Sequence, residues 1–256
     1  MIELRNIHKS FRGLQVLKGL DLRIPRGRIT VIIGPSGSGK TVLLRHIIGL
    51  MRPDRGSVLV DGVDIGKLGG MKLNEFRRRF GMLFQSAALF DSLSVYDNVA
   101  FPLIESSRER PTPNIDRTVK EKLGLVGLSG VEGKMPSELS GGMRKRVGLA
   151  RAIVLAPSII LYDEPTTGLD PIMTLAIDNL ILSMQKELRI TSVVISHDID
   201  SAFRVADQIC MIHDGRIVEC APPDEFRHSE SQVVQAFLRA GGRADRRGQG
   251  RRGQGG

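Results

Sequence analysis

Short apolar runs separated by turn residues predict strands over much of this chain. Thr30–Ile33 is β-branched and apolar, which predicts a buried strand. Similar runs at 80–84, 159–162 and 191–196 predict three more strands, and residues 40–50 have the pattern of a helix after the first one. Strands that alternate with helices in this way predict a parallel sheet covered by helices.

Other regions of the chain follow different patterns of apolar and polar residues. Residues 1–30 alternate short apolar runs with turns, which predicts small antiparallel strands. Hairpins are predicted over 58–63, about Asp61-Gly62, and over 207–219, about Asp214-Gly215. Residues from about 86 to 156 consist of helical segments between polar loops. We predict that they form an inserted helical subdomain.

The C-terminal end differs from the body of the chain. Residues 1–240 are predicted to form one domain, ending in a helix over about 224–240. From residue 241 the chain holds five Arg against one Asp, which supplies +4 of the net charge of +9. Arginines spaced by glycines, without aromatic residues, predict a disordered tail over 241–256 and do not favour a nucleic-acid partner.

Composition limits the class of protein. Hydrophobic residues make up 41% of the chain, which is ordinary for a globular protein, and no apolar run approaches the roughly 20 residues that span a bilayer. If the protein serves a membrane, another chain must therefore supply the spanning helices. The N-terminus lacks the pattern of a secretory signal. Cys210 and Cys220 have no metal-ligand spacing, so we expect two reduced thiols.

A glycine-rich loop follows the first buried strand. Gly34-Pro35-Ser36-Gly37-Ser38-Gly39-Lys40-Thr41 matches the phosphate-loop pattern Gly-x-x-x-x-Gly-Lys-Thr between a strand and a helix. Backbone N–H groups of such a loop close around phosphates, and the helix N-terminus favours negative charge. Lys40 is expected to reach the β- and γ-phosphates, and the Thr41 hydroxyl to bind Mg²⁺.

A pair of carboxylates ends the strand predicted at 159–162. We expect Asp163 to hold Mg²⁺ and Glu164 to polarise the attacking water as a general base. Such a pair alone is more often a solvated turn. The phosphate loop on a neighbouring strand favours the catalytic interpretation, because ligands of open α/β sheets bind at the carboxyl ends of the strands.

Leu139-Ser140-Gly141-Gly142 lies at the start of the helix predicted over 140–156. Together with the phosphate loop, it resembles the ATP-binding cassette (ABC) of membrane transporters, and this resemblance covers residues 2–240. It implies a P-loop NTPase of the α/β class, with a RecA-like core, an antiparallel β-subdomain and the helical subdomain. It also implies that Ser140, Gly141 and Gly142 close the ATP site of a second copy, so that the chain forms a head-to-tail homodimer.

The resemblance assigns further roles. His197, which ends the strand at 191–196, matches the switch histidine that contacts the γ-phosphate. Gln85 matches the Q-loop glutamine that senses Mg²⁺ and the water, and Asp170 lies in the D-loop. Phe11 matches the ring that stacks on adenine, although a core position explains it equally well. The residues expected to contact ATP are Phe11, Val16, Gly34, Pro35, Ser36, Gly37, Ser38, Gly39, Lys40, Thr41, Val42, Ser140, Gly141, Gly142 and Asp170; Mg²⁺ is expected on Thr41, Gln85 and Asp163.

Two local stretches, 88–103 and 135–146, resemble the ATPase of Mla-type phospholipid transporters. Met143, where other ABC cassettes have Gln, is common in that branch. The resemblance implies a peripheral protein on the cytoplasmic side of a bacterial inner membrane. Its implied partners are a permease, a periplasmic lipid-binding protein of the mammalian-cell-entry (MCE) class and a small STAS-domain regulator.

Three alternatives compete with this interpretation. An ATPase of a polar-solute importer, such as one for amino acids, has the same catalytic residues. An ABC protein acting on ribosomes or nucleic acid usually has two cassettes or a long coiled-coil insertion, and neither is present here. An inert scaffold does not need Glu164 and His197.

The Arg144-Lys145-Arg146 run is interpreted as a solvated helix face.

Overall fold

The computed structural model describes residues 1–107 and 113–249. Its centre is a six-stranded sheet in the order β10-β9-β3-β8-β7-β6. Strands β6, β7, β8, β3 and β9 are parallel, and β10 is antiparallel to β9. The strands of this sheet are β3 (Ile29–Ile33), β6 (Phe80–Leu83), β7 (Ile159–Asp163), β8 (Thr191–Ile195), β9 (Gln208–His213) and β10 (Arg216–Ala221).

A second, antiparallel sheet is formed by the N-terminal region. Its order is β2-β1-β4-β5, and its strands are β1 (Ile2–Phe11), β2 (Leu14–Ile24), β4 (Arg55–Val60) and β5 (Val63–Asp64). The predicted turn at Asp61-Gly62 joins β4 to β5, with Asp61 at φ 49° and Gly62 at φ 81°. Both residues take left-handed backbone conformations, which a tight hairpin of this kind requires.

Helices follow or separate these strands. The helices are α1 (Lys40–Ile47), α2 (Gly70–Arg77), α3 (Val95–Ser107), α4 (Pro113–Leu125), α5 (Gly141–Ile153), α6 (Pro171–Leu188), α7 (Ile199–Val205), α8 (Pro223–Arg227) and α9 (Gln232–Gln249). Helices α3, α4 and α5 fall within the region predicted to form the helical subdomain. Short 3₁₀ turns occur at 65–67 and 136–138. None of the helices in the described residues is long and apolar enough to span a membrane.

Each face of the central sheet has its own hydrophobic core, because successive side chains of a strand point to opposite faces. On one face, Val31 and Tyr162 pack with the subdomain helices α3, α4 and α5 and also with α6 and α7. On the other, Ile32 and Leu161 pack with α1 and with the apolar side of the antiparallel sheet. The parallel sheet is therefore covered on both sides, and its strand ends are held at one edge.

The C-terminal region differs from the prediction of one helix over 224–240 and a disordered tail from residue 241. Two helices, α8 and α9, are present, and α9 continues to Gln249. Gly241 lies against α7 so closely that a Cβ at this position would come within 2.2 Å of Ile199 Cδ1. Composition alone did not indicate this close approach. Residues 250–256 of the predicted tail lie outside the described residues.

The structure also corrects the expectation of two reduced thiols. Cys210 and Cys220 form a disulfide with an S–S distance of 2.06 Å. The two residues are direct partners in the register of the β9–β10 hairpin, which places their Cα atoms 4.1 Å apart. The signal that could have indicated the disulfide is the Asp214-Gly215 turn, because extending the hairpin by one residue sets Cys220 opposite Cys210.

Loss of the disulfide should lower the melting temperature. Closing a loop with this 10-residue separation stabilises the fold by about 2–3 kcal/mol. For a chain of this size, that corresponds to a loss of roughly 5–10 °C on reduction. Thermal unfolding with and without dithiothreitol measures it. The double variant Cys210→Ser, Cys220→Ser is the control, because reductant should not change its melting temperature. An unchanged value for the unmodified chain would contradict the prediction.

Candidate active site

The glycine-rich loop joins the end of β3 to the start of α1, as predicted. Two of its glycines are required by the backbone. Gly34 has φ 153°, and a Cβ there would lie 2.2 Å from the carbonyl oxygen of Ile212 on β9. Gly39 precedes α1 at φ 102°, where a Cβ would lie 2.9 Å from Leu17. A side chain at either position would push the loop away from its neighbours.

Lys40 begins α1 and is 8% exposed. Its Nζ donates to the carbonyl oxygens of Gly34, at 2.7 Å, and Pro35, at 2.9 Å. Burial lowers the pKa of the ammonium, whereas the nearby carboxylates of Glu164 and Asp163 oppose that effect. The loop therefore holds a positive charge close to its N–H groups, which suits a phosphate ligand.

The two carboxylates follow β7. Asp163 is half-buried at the strand end, and burial is the main cause of its raised pKa, with Glu164 adding to it and Arg45, Lys40 and Lys145 opposing it. Glu164 has a left-handed backbone, at φ 52°, and its N–H donates to the carbonyl oxygen of Ile195 at 3.0 Å. That bond ties the residue to the end of β8 next to it.

The side chain of Glu164 is held by two neighbours. Its Oε2 lies 2.6 Å from Nδ1 of His197 and accepts a hydrogen bond from the hydroxyl of Thr167 at 3.1 Å. The His197 side chain is 60% exposed, whereas that of Glu164 is 15% exposed. The carboxylate is therefore oriented by its partners, and the imidazole remains accessible to a ligand.

These elements surround one cavity of about 430 Å³, within the range of small-molecule sites. Every residue that lines it is among those predicted from the sequence. The lining residues are Val16, Ser36, Gly37, Gly39, Lys40, Thr41, Val42, Gln85, Asp163, Glu164 and His197. The cavity thus combines phosphate-loop N–H groups, an ammonium, hydroxyl and amide oxygens and two carboxylates.

The Leu-Ser-Gly-Gly segment does not line this cavity. Ser140 caps the N-terminus of α5 by accepting from the N–H of Met143 at 3.3 Å, and Ser140 and Gly141 are both exposed. Asp170 caps α6 in the same way, through the N–H of Met173 at 2.9 Å, and it too lies outside the lining.

Phe11 also lies outside the lining, whereas Val16 belongs to it. The Phe11 side chain is 40% exposed at the end of β1, which is inconsistent with a core residue. The Lys9 ammonium lies 5.7 Å from its ring centroid. An exposed ring of this kind can stack on a planar ligand.

Two cations of α5 were not recognised from the sequence. Lys145 is not on a solvated face: it is 5% exposed, and its ammonium donates to the carbonyl oxygens of Gln85 and Glu164. Arg151 donates to the carbonyl oxygens of Ala87, at 2.7 Å, and Ala88, at 2.8 Å. Helical spacing was the available signal, because Lys145 lies four residues before the apolar Leu149 and so shares its helix face.

The comparisons with known proteins identify the family. Residues 17–167 match the ABC transporter family. The chain belongs to that family. The cassette is 45% identical over 237 residues to the probable ribonucleotide transport ATP-binding protein mkl of Mycobacterium leprae, a match that covers 93% of this chain and 68% of that protein. It is 43% identical over 239 residues to the intermembrane phospholipid transport system ATP-binding protein MlaF of Haemophilus influenzae. That match covers 93% of this chain and 90% of the relative.

Solved cassettes share its fold. One is a dimeric cassette in a post-hydrolysis state, bound to ADP and Pi. It aligns with a TM-score of 0.80 at 32% identity, and the alignment covers 87% of this chain and 99% of the solved chain. The predicted fold class is confirmed, as is the predicted ATPase: the cassette binds and hydrolyses ATP.

Proposed function

We propose that this cassette hydrolyses ATP to power phospholipid movement between the inner and outer membranes of a bacterium, through a partner permease. The main support is the relationship to the MlaF protein named above, which the match covers over 90% of its length. Met143 and the stretches at 88–103 and 135–146 resemble the same branch of the family.

Within this proposal, the cavity is the ATP site. The loop from Gly34 to Thr41 binds the phosphates through its N–H groups, while Val16 and Val42 pack near the base and sugar and Phe11 stacks on adenine. Lys40 exchanges its two carbonyl partners for phosphate oxygens. These contacts place the γ-phosphate beside the carboxylates at the end of β7.

Glu164 is the general base for the attacking water. Its carboxylate is fixed by His197 and Thr167, so one oxygen is held while the other stays free to accept a proton. His197 has an exposed ring that contacts the γ-phosphate, and Gln85 orients the water from the neighbouring strand end.

The same cavity fits Mg²⁺. The Thr41 hydroxyl, the Gln85 amide oxygen and the Asp163 carboxylate are oxygen donors of the kind this ion prefers, and all three line the cavity. Burial raises the pKa of Asp163, and a bound cation would favour its ionised form. When bound, the ion neutralises charge on the transferred phosphate.

The cassette functions as a head-to-tail homodimer. Ser140, Gly141 and Gly142 stand at the N-terminus of a 13-residue helix, outside their own cavity, with the first two exposed. A second copy brings this positive helix end, and the D-loop residue Asp170, to the open side of ATP. The dimeric state of the similar solved cassette supports this arrangement.

The permease docks beside Gln85 and the segment that follows it. Phe84, Phe90 and Phe101 are exposed there, which is the composition expected of a protein interface. A periplasmic MCE-type protein and a small STAS-domain subunit complete the assembly, by resemblance to Mla-type systems. The cassette itself is then a peripheral protein on the cytoplasmic side of the inner membrane.

A polar solute is the second candidate cargo. The Mycobacterium leprae relative is named for ribonucleotide transport, and its identity to this chain is slightly higher than that of the MlaF relative. Because the ATP site is the same in either case, only the permease and its cargo distinguish the two functions.

Purification of the assembled transporter discriminates between these functions. The cassette, tagged at its N-terminus and expressed with its native membrane partners, should co-purify with an integral membrane protein that carries phospholipid detectable by mass spectrometry. In proteoliposomes, phospholipid should stimulate ATP hydrolysis more than amino acids or nucleotides do. Stimulation by a polar solute, without bound phospholipid, would refute the lipid assignment.

A further inference from the structure

The ammonium of Lys145 lies between the two segments that control hydrolysis. Lys145 is in the second turn of α5, and its Nζ donates to the carbonyl oxygen of Gln85 and, at 3.3 Å, to that of Glu164. A cation that is only 5% exposed is expensive to desolvate. Nothing in ATP binding itself requires one on this helix, since Lys145 does not line the cavity.

The two carbonyl groups belong to neighbouring strands. Gln85 follows β6 and Glu164 follows β7, and these strands are parallel partners. The α5 helix lies close to β6. There is no room for a side chain at Gly81 of β6, where a Cβ would lie 2.3 Å from the carbonyl oxygen of Ala152 on α5. That close approach brings the stem of Lys145 to the edge where both strands end.

Glu164 needs an external constraint on its backbone. Its φ of 52° is unusual for a residue with a side chain, and such conformations persist only where the surroundings hold them. The N–H of Glu164 donates to the carbonyl oxygen of Ile195 at 3.0 Å, and the carbonyl oxygen of Glu164 accepts from the N–H of Thr167 at 3.3 Å and from Lys145 Nζ at 3.3 Å. Thr167 belongs to the same loop as Glu164, so Lys145 supplies the contact that ties this carbonyl group to a separate element, helix α5.

We propose that Lys145 is a positioning residue, which fixes the Gln85 and Glu164 backbones relative to each other and thereby links the signature helix to the general base. Helix α5 begins at the Ser140-Gly141-Gly142 segment, so a movement of that segment shifts the Lys145 ammonium. The inference rests on the assignment of Glu164 as the base. Arg151 holds the carbonyls of Ala87 and Ala88 on the permease side of Gln85, but it has no bond to Glu164.

Lys145→Met tests the proposal, because Met preserves most of the side-chain volume and removes the donor. In the full-length chain, we expect kcat for ATP hydrolysis to fall at least tenfold while KM stays within twofold. Lys145→Gln keeps N–H donors on a shorter stem and should recover at least threefold over the Met variant. Lys120→Met, at an exposed position of α4, is the matched control and should retain full activity.

Three results would overturn the proposal. The first is a kcat for Lys145→Met within twofold of the unmodified chain. The second is equal activity of the Met and Gln variants, which would show that the hydrogen bonds do not matter. The third is a tenfold loss of ATP affinity when Lys145→Met is added to Glu164→Gln, since Lys145 would then act on binding.

Glu164→Gln is assayed alone in the same series. If it hydrolyses ATP normally, the assignment of the base fails. If it is inactive while Lys145→Met is fully active, only the role of Lys145 fails.

Discussion

Glu164→Gln should bind ATP normally and lose at least 100-fold in kcat. The amide keeps the size of the side chain and a partner for His197, but it cannot accept a proton from water. General-base catalysis contributes about 10²–10⁴-fold in rate. Because ATP remains intact, the variant should also accumulate as a nucleotide-bound dimer. Steady-state ATPase assays measure the first effect, and size-exclusion chromatography with ATP measures the second.

Glu187→Gln is the matched control for that variant. Glu187 is exposed near the C-terminal end of α6 and does not line the cavity. Its substitution should therefore leave kcat and the oligomeric state unchanged. Hydrolysis by Glu164→Gln within threefold of the unmodified rate would rule out Glu164 as the base. The Glu164–His197 contact would then have only a structural role.

Lys40→Ala should weaken ATP binding by roughly 10- to 100-fold. Hydrogen bonds to charged groups contribute about 1.5–3 kcal/mol, and the substitution removes those that the ammonium donates to the phosphates. It also removes the bonds to the Gly34 and Pro35 carbonyl oxygens, so the loop becomes less ordered before ATP arrives. Isothermal titration calorimetry with a non-hydrolysable ATP analogue measures the Kd of the unmodified chain and that of the Lys40→Ala variant.

Lys186→Ala separates the local effect from a general change of charge. Lys186 is exposed on α6, so its removal should leave the Kd within twofold. Melting temperatures of both variants check that each is folded. Unaltered nucleotide affinity in a folded Lys40→Ala protein would contradict the assignment of the phosphate loop.

Many residues of the cavity could be predicted from the sequence because they follow the end of an apolar strand. The loop at Gly34, the carboxylates at Asp163 and Glu164, and His197 all follow β-branched or apolar runs. Parallel strands place their carboxyl ends at one edge, so the local pattern was enough to bring these side chains together. The structure places them around a single cavity.

Other features depended on contacts between distant parts of the chain. The disulfide depends on the register of β9 and β10, and Gly241 of α9 lies close to Ile199 of α7. Composition describes each segment as if it were alone in water. It therefore indicated free thiols where the strand register gives a disulfide, and a tail from residue 241 where the helix continues to Gln249.

The sequence by itself was enough to predict the family, which the comparisons confirm, and the residues that line the cavity at the strand ends. Only the tertiary structure decided which charge becomes part of the interior. Lys145 stands between two arginines and looks like a surface residue in the sequence, yet α5 packs so tightly on β6 that its ammonium lies between two backbone carbonyl groups. Helical periodicity shows which way a side chain points, but its partner is set by the element packed against it.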